Sequence, residues 1–142
     1  MLRVPTEKGV NQALAIIGTG VDMIEVERIR RALERPLTGE RLRARVFSVG
    51  EARYCESRGV ARYQSYAARF AAKEAAMKAL GTGWGRGAGW RDFEVVRERG
   101  QAPRLTLSGK AALLAQRRNI RLMHLSLTHT TAHAIAYVIA ES

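Results

Sequence analysis

The chain has few of the features on which secreted, membrane-spanning and zinc-binding proteins depend. Cys55 is the only cysteine among 142 residues, so no disulfide can form within the chain and a cytoplasmic location is expected. No stretch reaches the roughly 20 apolar residues of a membrane span, and the first residues lack the layout of a secretory signal peptide. No spacing of cysteine and histidine fits a zinc site. We therefore expect a cytoplasmic protein with no membrane partner.

Acidic residues are also scarce. Lysine and arginine number 24 against 13 aspartate and glutamate residues, which gives a formal net charge of +11. An excess of this size attracts nucleic acids, acidic proteins and phosphorylated ligands. Most of the cations are arginines, which cluster at Arg28, Arg30, Arg31 and Arg35, at Arg41, Arg43 and Arg45, and at Arg117, Arg118 and Arg121. Each cluster alone is typical of a solvated helix face, but together they predict an anionic partner.

Hydrophobic periodicity predicts one α+β domain over residues 14–142, preceded by an N-terminal extension over residues 1–13. The chain lacks the regular alternation of strands and helices that would indicate a parallel sheet. We expect a long central helix packed on a small, mainly antiparallel sheet. The predicted strands are 15–22, 92–97, 104–107, 122–128 and 132–140, and the predicted helices run from 24 to Pro36, 41–46, 50–58, 63–80 and 108–118.

Three local signals predict where helices begin and end. Ser48 and Glu51 have the capping-box spacing, in which each side chain binds the other residue's backbone amide. Ser108 is expected to cap the helix that follows it. Asn119 is expected to end that helix in a left-handed conformation.

The longest predicted helix carries charges beside its apolar stripe. Glu74 follows Phe70 by four residues and precedes Lys78 by four. This spacing usually indicates a surface ion pair of Glu74 with Lys78, which stabilises a helix by a few tenths of a kcal/mol. A carboxylate beside a packed face instead requires a cation, a metal or hydrogen-bond donors. Both interpretations remain open, as does the role of the neighbouring Lys73.

Asp22 lies where a glycine-bearing strand is expected to run into a helix. Aspartate is a good helix cap because its side chain accepts the first free backbone amides. Its carboxylate is also a suitable ligand for Mg²⁺, which favours one or two carboxylates together with substrate phosphates. The residues alone favour the cap.

Two further segments are candidates for anion binding. The loop from Gly81 to Gly89 has glycine at alternate positions but matches neither a Walker loop nor a dinucleotide fingerprint. It is either a flexible connection or, with Arg86, a cradle of backbone amides for phosphate. His129, beside Thr130, is either structural or an anion ligand. No Gly-x-Ser-x-Gly sequence surrounds Ser126, which argues against a hydrolase.

Five motifs in order resemble the small bacterial class of 4'-phosphopantetheinyl transferases, the holo-acyl-carrier-protein synthases. Any one motif is weak, but their common order is specific, and the resemblance covers residues 16–141. Two departures, the additional N-terminal residues and Met23 in place of isoleucine or leucine, affect no matched ligand. The motifs are Gly18-Thr-Gly-Val-Asp22, Phe47-Ser-x-x-Glu51-x-x-Tyr54-Cys55, Arg69-Phe-Ala-Ala-Lys-Glu-x-x-x-Lys78, Gly81-Thr-Gly83 and His124-x-Ser-Leu-Thr-His129.

The resemblance implies an enzyme of fatty acid biosynthesis that transfers 4'-phosphopantetheine from coenzyme A to a serine of apo acyl carrier protein, releasing adenosine 3',5'-bisphosphate. It implies that Asp22 and Glu74 hold Mg²⁺ and that Lys78 faces the phosphates. It assigns the binding of coenzyme A to Lys78 together with Gly81, Gly83, His129 and Thr130. Either Glu74 or a metal-bound water would accept the serine proton, and the water is favoured because a metal-ligating carboxylate is a poor base.

The resemblance also implies a homotrimer with its sites between subunits. The acidic carrier protein would dock on the first helix at Arg28, Arg31 and Arg35. Two alternatives remain: a small basic nucleic-acid-binding domain, and an adaptor for acidic proteins without catalysis. The first has no familiar nucleic-acid motif, and Trp84 and Trp90 on either side of a loop are a poor platform for stacking bases.

Overall fold

The computed structural model describes residues 13–82 and 87–142. Single-turn 3-10 helices occupy Gly59–Ala61 and Trp90–Asp92. The predicted N-terminal extension lies almost wholly outside the described residues. The strands are β1 (Ile16–Glu25), β2 (Phe93–Val96), β3 (Arg104–Leu107), β4 (Leu122–His129) and β5 (His133–Glu141), and the helices are α1 (Val26–Glu34), α2 (Thr38–Val46), α3 (Val49–Glu56), α4 (Arg62–Leu80) and α5 (Gly109–Arg117).

The predicted α+β class, with a long helix on an antiparallel sheet, is confirmed. Strands β1, β5 and β4 form one sheet in that order, and both pairings are antiparallel. The apolar character of β5 predicted an inner strand, and β5 does lie between the other two. Strands β2 and β3 form a separate antiparallel hairpin, as predicted. No helix in the described part of the chain is long and apolar enough to cross a bilayer.

Helix α4 forms the centre of the core. Its many alanines have the highest helix propensity, and Ala67, Ala71 and Ala75 are fully buried. The alternate residues of β5 that face it are fully buried as well, namely Ala134, Ala136, Val138 and Ala140. The helix ends at Gly81, whose φ of 72° is left-handed, as the sequence predicted.

Two glycines of β1 allow the sheet to touch α4 directly. A Cβ atom on Gly18 would lie 2.1 Å from the carbonyl oxygen of Ala79, and one on Gly20 would lie 1.9 Å from that of Ala75. Both distances are far below van der Waals contact, so only glycine fits. Because side chains alternate along a strand, Asp22 faces α4 as well.

The signals for the helix ends are confirmed in part. The Ser48–Glu51 capping box is present at the start of α3, and Asn119 has the left-handed φ of 57°. Ser108 precedes α5 as predicted, but its side chain makes no capping hydrogen bond with the described residues.

Candidate active site at the contact of β1 and α4

Asp22 is not a helix cap. Strand β1 continues to Glu25 because it pairs with β5 as far as His133, so α1 begins four residues after Asp22. The Asp22 side chain turns towards α4, where its Oδ1 accepts a hydrogen bond from Nζ of Lys78 at 3.1 Å. The capping interpretation, which the sequence favoured, is therefore wrong.

Lys78 joins β1 to the charged end of α4. Its Nζ also donates to the backbone carbonyl of Val21, at 2.8 Å. About half of the Lys78 side chain is exposed, against 18% of Asp22. The ammonium group is thus held at the edge of the helix–sheet contact, where it can still meet a ligand from solvent.

Glu74 lies one turn before Lys78 on the same face of α4, a spacing that brings the two Cβ atoms to within about 6 Å. Its side chain is half-buried. Asp22 on β1 and Glu74 on α4 are therefore both neighbours of Lys78. The sequence separates the two carboxylates by 52 positions.

The chemistry of these groups fits a magnesium site. The described residues contain no cluster of three or more metal-ligating side chains, so these residues supply no all-protein cage. Mg²⁺ commonly binds through one or two carboxylates and completes its shell with water and substrate phosphates. Asp22 and Glu74 provide such a pair, on a surface that is open enough for a phosphate to approach.

One amide of the predicted glycine loop already has a partner within the chain. The amide of Gly81 donates to the Lys78 carbonyl at 3.0 Å and so is used to end α4. Gly83 and Arg86 lie outside the described residues. A side chain at position 81 would collide with the guanidinium of Arg118, since an added Cβ would be 2.3 Å from Nη1. Glycine here therefore lets Arg118 approach the end of α4, a role for this arginine that the sequence analysis did not predict.

His129, at the end of β4, is exposed beside a basic cavity. The cavity has a volume of about 250 Å³, and its lining includes Arg58, Arg69, Arg97 and His129. The nearly buried Arg69 packs over the ring of Tyr54 at 4.0 Å, and its Nε has no hydrogen-bond partner among the described residues. Three guanidinium groups and an imidazole around one cavity form a binding environment for phosphate.

Thr130 has a local structural role. Its hydroxyl accepts hydrogen bonds from the amides of Ala132 and His133, at 3.2 and 3.1 Å. These bonds shape the turn between β4 and β5. The predicted contact of Thr130 with coenzyme A remains a prediction.

The basic cavity and the β1–α4 contact lie on opposite edges of the sheet. Asp22 pairs with Ala136 of β5, and Ala136 pairs on its other side with Leu127 of β4. Two strand spacings separate Asp22 from β4, or about 10 Å. Within one chain the structure thus brings Asp22, Glu74 and Lys78 together but keeps His129 at the other edge.

The arginines of α1 fall into two groups. Arg30 and Arg31 bind Glu27 on the same helix, and their hydrogen bonds lower the pKa of Glu27 to about 2. Arg28 and Arg35 are exposed, and their side chains form no hydrogen bond or ion pair with the described residues. Of the three predicted docking residues, Arg31 is therefore already neutralised.

Lys73 is adjacent to Glu74 but belongs to the core. Its side chain is fully buried, and its Nζ lies 2.8 Å from Oε2 of Glu51. The role of Lys73, which the sequence left open, is therefore not that of a solvated surface charge. The sequence analysis predicted the capping box but not that its glutamate has a second partner. Glu51 accepts hydrogen bonds both from the amide of Ser48 at the helix end and from Nζ of Lys73.

Comparison with known proteins identifies the family of the chain. Residues 18–138 match the family described as the 4'-phosphopantetheinyl transferase superfamily. Holo-acyl-carrier-protein synthases of Koribacter versatilis and Solibacter usitatus are 49% and 48% identical to the chain; each alignment covers 89% of this chain, and 98% and 99% of the relative.

Solved structures of similar fold belong to the same family of enzymes. The Neisseria meningitidis holo-acyl-carrier-protein synthase has a TM-score of 0.80 and 26% identity, covering 90% of this chain and 100% of that one. The Bacillus anthracis enzyme in complex with coenzyme A (3',5'-ADP) has a TM-score of 0.73 and 32% identity, covering 92% of this chain and 99% of that one.

Proposed function

The chain belongs to the 4'-phosphopantetheinyl transferase superfamily, and we propose that it transfers 4'-phosphopantetheine from coenzyme A to a serine hydroxyl of apo acyl carrier protein. The other product is adenosine 3',5'-bisphosphate. The observation that carries the proposal is the contact of Asp22 with Lys78, one helical turn from Glu74. We further propose that the enzyme acts in the cytoplasm, in fatty acid biosynthesis.

Asp22 and Glu74 are the residues that would hold Mg²⁺, which when bound supplies positive charge to the pyrophosphate oxygens. The close backbone contact of β1 with α4 would hold the two elements that carry these carboxylates at a fixed spacing. Lys78 would provide a second positive charge beside them, where negative charge grows on the leaving phosphate. Donors that are already in place stabilise such charge without reorganisation during the reaction.

We propose that the basic cavity at His129 binds the nucleotide end of coenzyme A. Arg58, Arg69 and Arg97 surround this cavity, and the planar guanidinium fork binds phosphate with two parallel hydrogen bonds. The Arg69 guanidinium lies over the ring of Tyr54, 4.0 Å from its centroid, and this contact restrains it. These contacts support the assignment of His129 to coenzyme A, which the resemblance implied.

We infer that the chain assembles as a homotrimer with its sites between subunits. The outer face of the sheet supports this assembly because it exposes Val21, Met23, Ile135 and Tyr137 side by side, by 55%, 64%, 36% and 43%. Contiguous apolar surface of this kind is typical of a protein interface. In such an assembly, a site between subunits would combine the His129 edge of one protomer with the Asp22 edge of its partner.

The transfer reaction can be tested directly by mass spectrometry. The protein is incubated with apo acyl carrier protein, coenzyme A and Mg²⁺, and the carrier is expected to gain the mass of one phosphopantetheine group. Omitting coenzyme A or adding a chelator provides the controls. A carrier that a known transferase modifies but this protein does not would refute the proposal. Salt-sensitive DNA binding without transfer would favour the nucleic-acid alternative.

Mixing variants tests whether subunits share the site. Asp22→Ala and His129→Ala proteins are expected to be impaired on their own. When the two are unfolded together and refolded as mixed trimers, some interfaces combine an intact Asp22 edge with an intact His129 edge, and activity should return. Mixed trimers that are no more active than the separate variants would place both residues in one subunit's site.

A further inference from the structure

The guanidinium group of Arg118 lies against the end of α4. A Cβ atom added to Gly81 would be 2.3 Å from Nη1 of this arginine, 3.1 Å from its Cζ and 3.2 Å from its Nη2. The guanidinium group therefore occupies the space in which a side chain of residue 81 would begin. Because Arg118 is the C-cap of α5, this contact joins the ends of two helices.

The position of this contact continues a row of site residues along α4. Gly81 directly follows the helix, seven residues after Glu74 and three after Lys78. Helix positions separated by four and then three residues share one face. At about 1.5 Å per residue, Lys78 and Gly81 are separated by only about 5 Å along the helix axis. Arg118 therefore adds a cation to the face of α4 that carries the candidate metal ligand.

The backbone around Arg118 is fixed by the hydrogen bonds that close α5. The amide of Arg118 donates to the carbonyls of Leu114 and Ala115, at 3.2 and 3.1 Å, and the amide of Ile120 donates to the carbonyl of Ala115 at 2.9 Å. Asn119 takes the left-handed φ of 57° between them, and the side chain of Ile120 is buried. The arginine is thus presented from an anchored turn.

The end of α4 does not require Arg118 as a cap. The amides of Gly81 and Thr82 already donate to the carbonyls of Lys78 and Met77, both at 3.0 Å. Arg118 is exposed, and its side chain forms no hydrogen bond or ion pair with the described residues. A guanidinium group has five N–H donors and keeps its charge in proteins. These donors can therefore bind a ligand, at a place where the dipole of α4 favours a cation.

The ligand that best fits this cation is a phosphate, which a guanidinium group binds through two parallel hydrogen bonds. Coenzyme A carries its negative charge on two groups, the pyrophosphate and the 3'-phosphate. On the proposed function, the 3'-phosphate belongs to the nucleotide end in the basic cavity, at the opposite edge of the sheet. The pyrophosphate meets the candidate metal site at Asp22 and Glu74. Of the two groups, the pyrophosphate is therefore the one next to Arg118.

We propose that Arg118 is a further substrate-binding residue, which holds the pyrophosphate of coenzyme A together with Lys78. The proposal rests on the proposed function, since it names a contact with the donor substrate of that reaction. Its new element is an arginine from the end of α5. None of the five motifs that carry the family resemblance includes a residue of α5 or of its C-cap.

Calorimetric titration with coenzyme A in the presence of Mg²⁺ tests the contact. Arg118→Met should weaken the binding of coenzyme A about tenfold, because charge-assisted hydrogen bonds are lost. 3'-Dephospho-coenzyme A retains the pyrophosphate, so its binding should weaken by the same factor. Arg118→Lys keeps the charge without the planar fork and should recover part of the loss. Arg117→Met removes an exposed arginine at the adjacent position and is the matched control.

A variant of the basic cavity provides the contrasting pattern. Arg58 lines that cavity, so Arg58→Met should weaken the binding of coenzyme A more than the binding of 3'-dephospho-coenzyme A. The ratio of the two affinities therefore distinguishes a residue that binds the pyrophosphate from one that binds the 3'-phosphate.

Two further measurements separate other roles of Arg118 from substrate binding. In the transfer assay, Arg118→Met should raise the KM for coenzyme A and leave the KM for the carrier unchanged. A raised KM for the carrier alone would overturn the proposal, because an acidic side chain of the carrier would then be the partner of Arg118. Urea titration measures stability. A variant that is less stable but binds coenzyme A normally would also overturn the proposal, because Arg118 would then only stabilise the end of α4.

The titrations themselves have distinct outcomes. Weaker binding of both ligands by Arg118→Met, partly recovered in Arg118→Lys and absent in Arg117→Met, would support the proposal. Normal binding by Arg118→Met would overturn it, and so would an equal loss in Arg117→Met. A loss for coenzyme A alone would overturn it too, since Arg118 would then bind the 3'-phosphate. A wild-type protein that binds coenzyme A through Arg118 but modifies no carrier would refute the proposed function alone.

Discussion

The Nζ of Lys73 lies 2.8 Å from Oε2 of Glu51, and neither side chain reaches solvent. The same ammonium donates to the backbone carbonyls of Val46 and Trp90, at 2.7 and 3.2 Å. A lysine ammonium has three donors, and here all three are used. Burial lowers the pKa of Lys73, and the charge of Glu51 opposes that shift.

Glu51 accepts three hydrogen bonds in all. Besides Lys73, its Oε2 accepts from the amide of Ser48 at 2.8 Å, and its Oε1 accepts from the amide of Val95 at 2.9 Å. The pair therefore links α4 to the start of α3 and to the hairpin of β2 and β3. Because Lys73 precedes Glu74 directly, it also fixes the turn of α4 that carries the candidate metal ligand.

Replacing Lys73 with methionine should destabilise the protein by about 3 to 5 kcal/mol, because Glu51 would remain as a buried charge without its cation. Two backbone carbonyls would lose their donor at the same time. The free energy of unfolding from urea titration measures the effect. Lys110→Met, on the exposed start of α5, is the matched control and should change stability by less than about 0.5 kcal/mol. A loss of similar size in both variants would contradict the role assigned to the pair.

Lys73 and Glu74 also show what periodicity alone can and cannot predict. Helical spacing correctly predicted that α4 packs on the core. Successive residues of a helix point in directions about 100° apart, so one of two adjacent charges can face a site while the other enters the core. Which one is buried depends on Glu51, a partner 22 positions away, and no local pattern contains that contact.

The prediction that Asp22 caps a helix was wrong for a related reason. The glycines before it predicted a close backbone approach, and they do touch α4. The length of β1, however, is set by its pairing with β5, more than a hundred residues later in the chain. Only that pairing shows that the strand continues past Asp22 and that its carboxylate faces Lys78.

Gly20→Ala should strongly destabilise the protein. The new Cβ would lie 1.9 Å from the backbone oxygen of Ala75, so β1 would have to move away from α4. Overpacking of this kind costs about 1 to 3 kcal/mol, and sometimes more. Gly50→Ala is the matched control, because its new Cβ would be in ordinary contact at 3.5 Å from Glu94. Gly50 lies in the first turn of α3, so alanine should stabilise that helix by at most about 0.5 to 1 kcal/mol.

The two substitutions thus have predicted effects of opposite sign. Thermal or urea unfolding of both variants checks them together. Equal stabilities would show that β1 and α4 are not in direct backbone contact.

Removing the charge of either candidate metal ligand should abolish most of the transfer. Asp22→Asn and Glu74→Gln preserve the size of each side chain but remove a negative charge that Mg²⁺ prefers. We expect a loss of about 100- to 1,000-fold in kcat, as for the removal of a single strong electrostatic contact in an active site. Glu98→Gln, on the exposed turn between β2 and β3, is the matched control.

Calorimetry gives a second readout for these variants. Mg²⁺ binding in the presence of coenzyme A should be lost in Asp22→Asn and Glu74→Gln and retained in Glu98→Gln. Normal Mg²⁺ binding by the first two would show that they act on the reaction in another way.

The single thiol should make the protein less stable in alkaline solution. Cys55 is fully buried in α3, and burial raises the pKa of its thiol from 9.0 to about 12. Between these values the unfolded chain loses the thiol proton while the folded chain keeps it, so the free energy of unfolding falls as the pH rises. Cys55→Ala lacks this group but keeps every other titrating residue, including the buried Tyr66. The stability advantage of the wild type over Cys55→Ala should therefore shrink from about pH 8 to about pH 11, by a few kcal/mol at most. Urea titrations of both proteins across this range measure the difference, and an advantage that stays constant would show that the thiol titrates normally in the folded state.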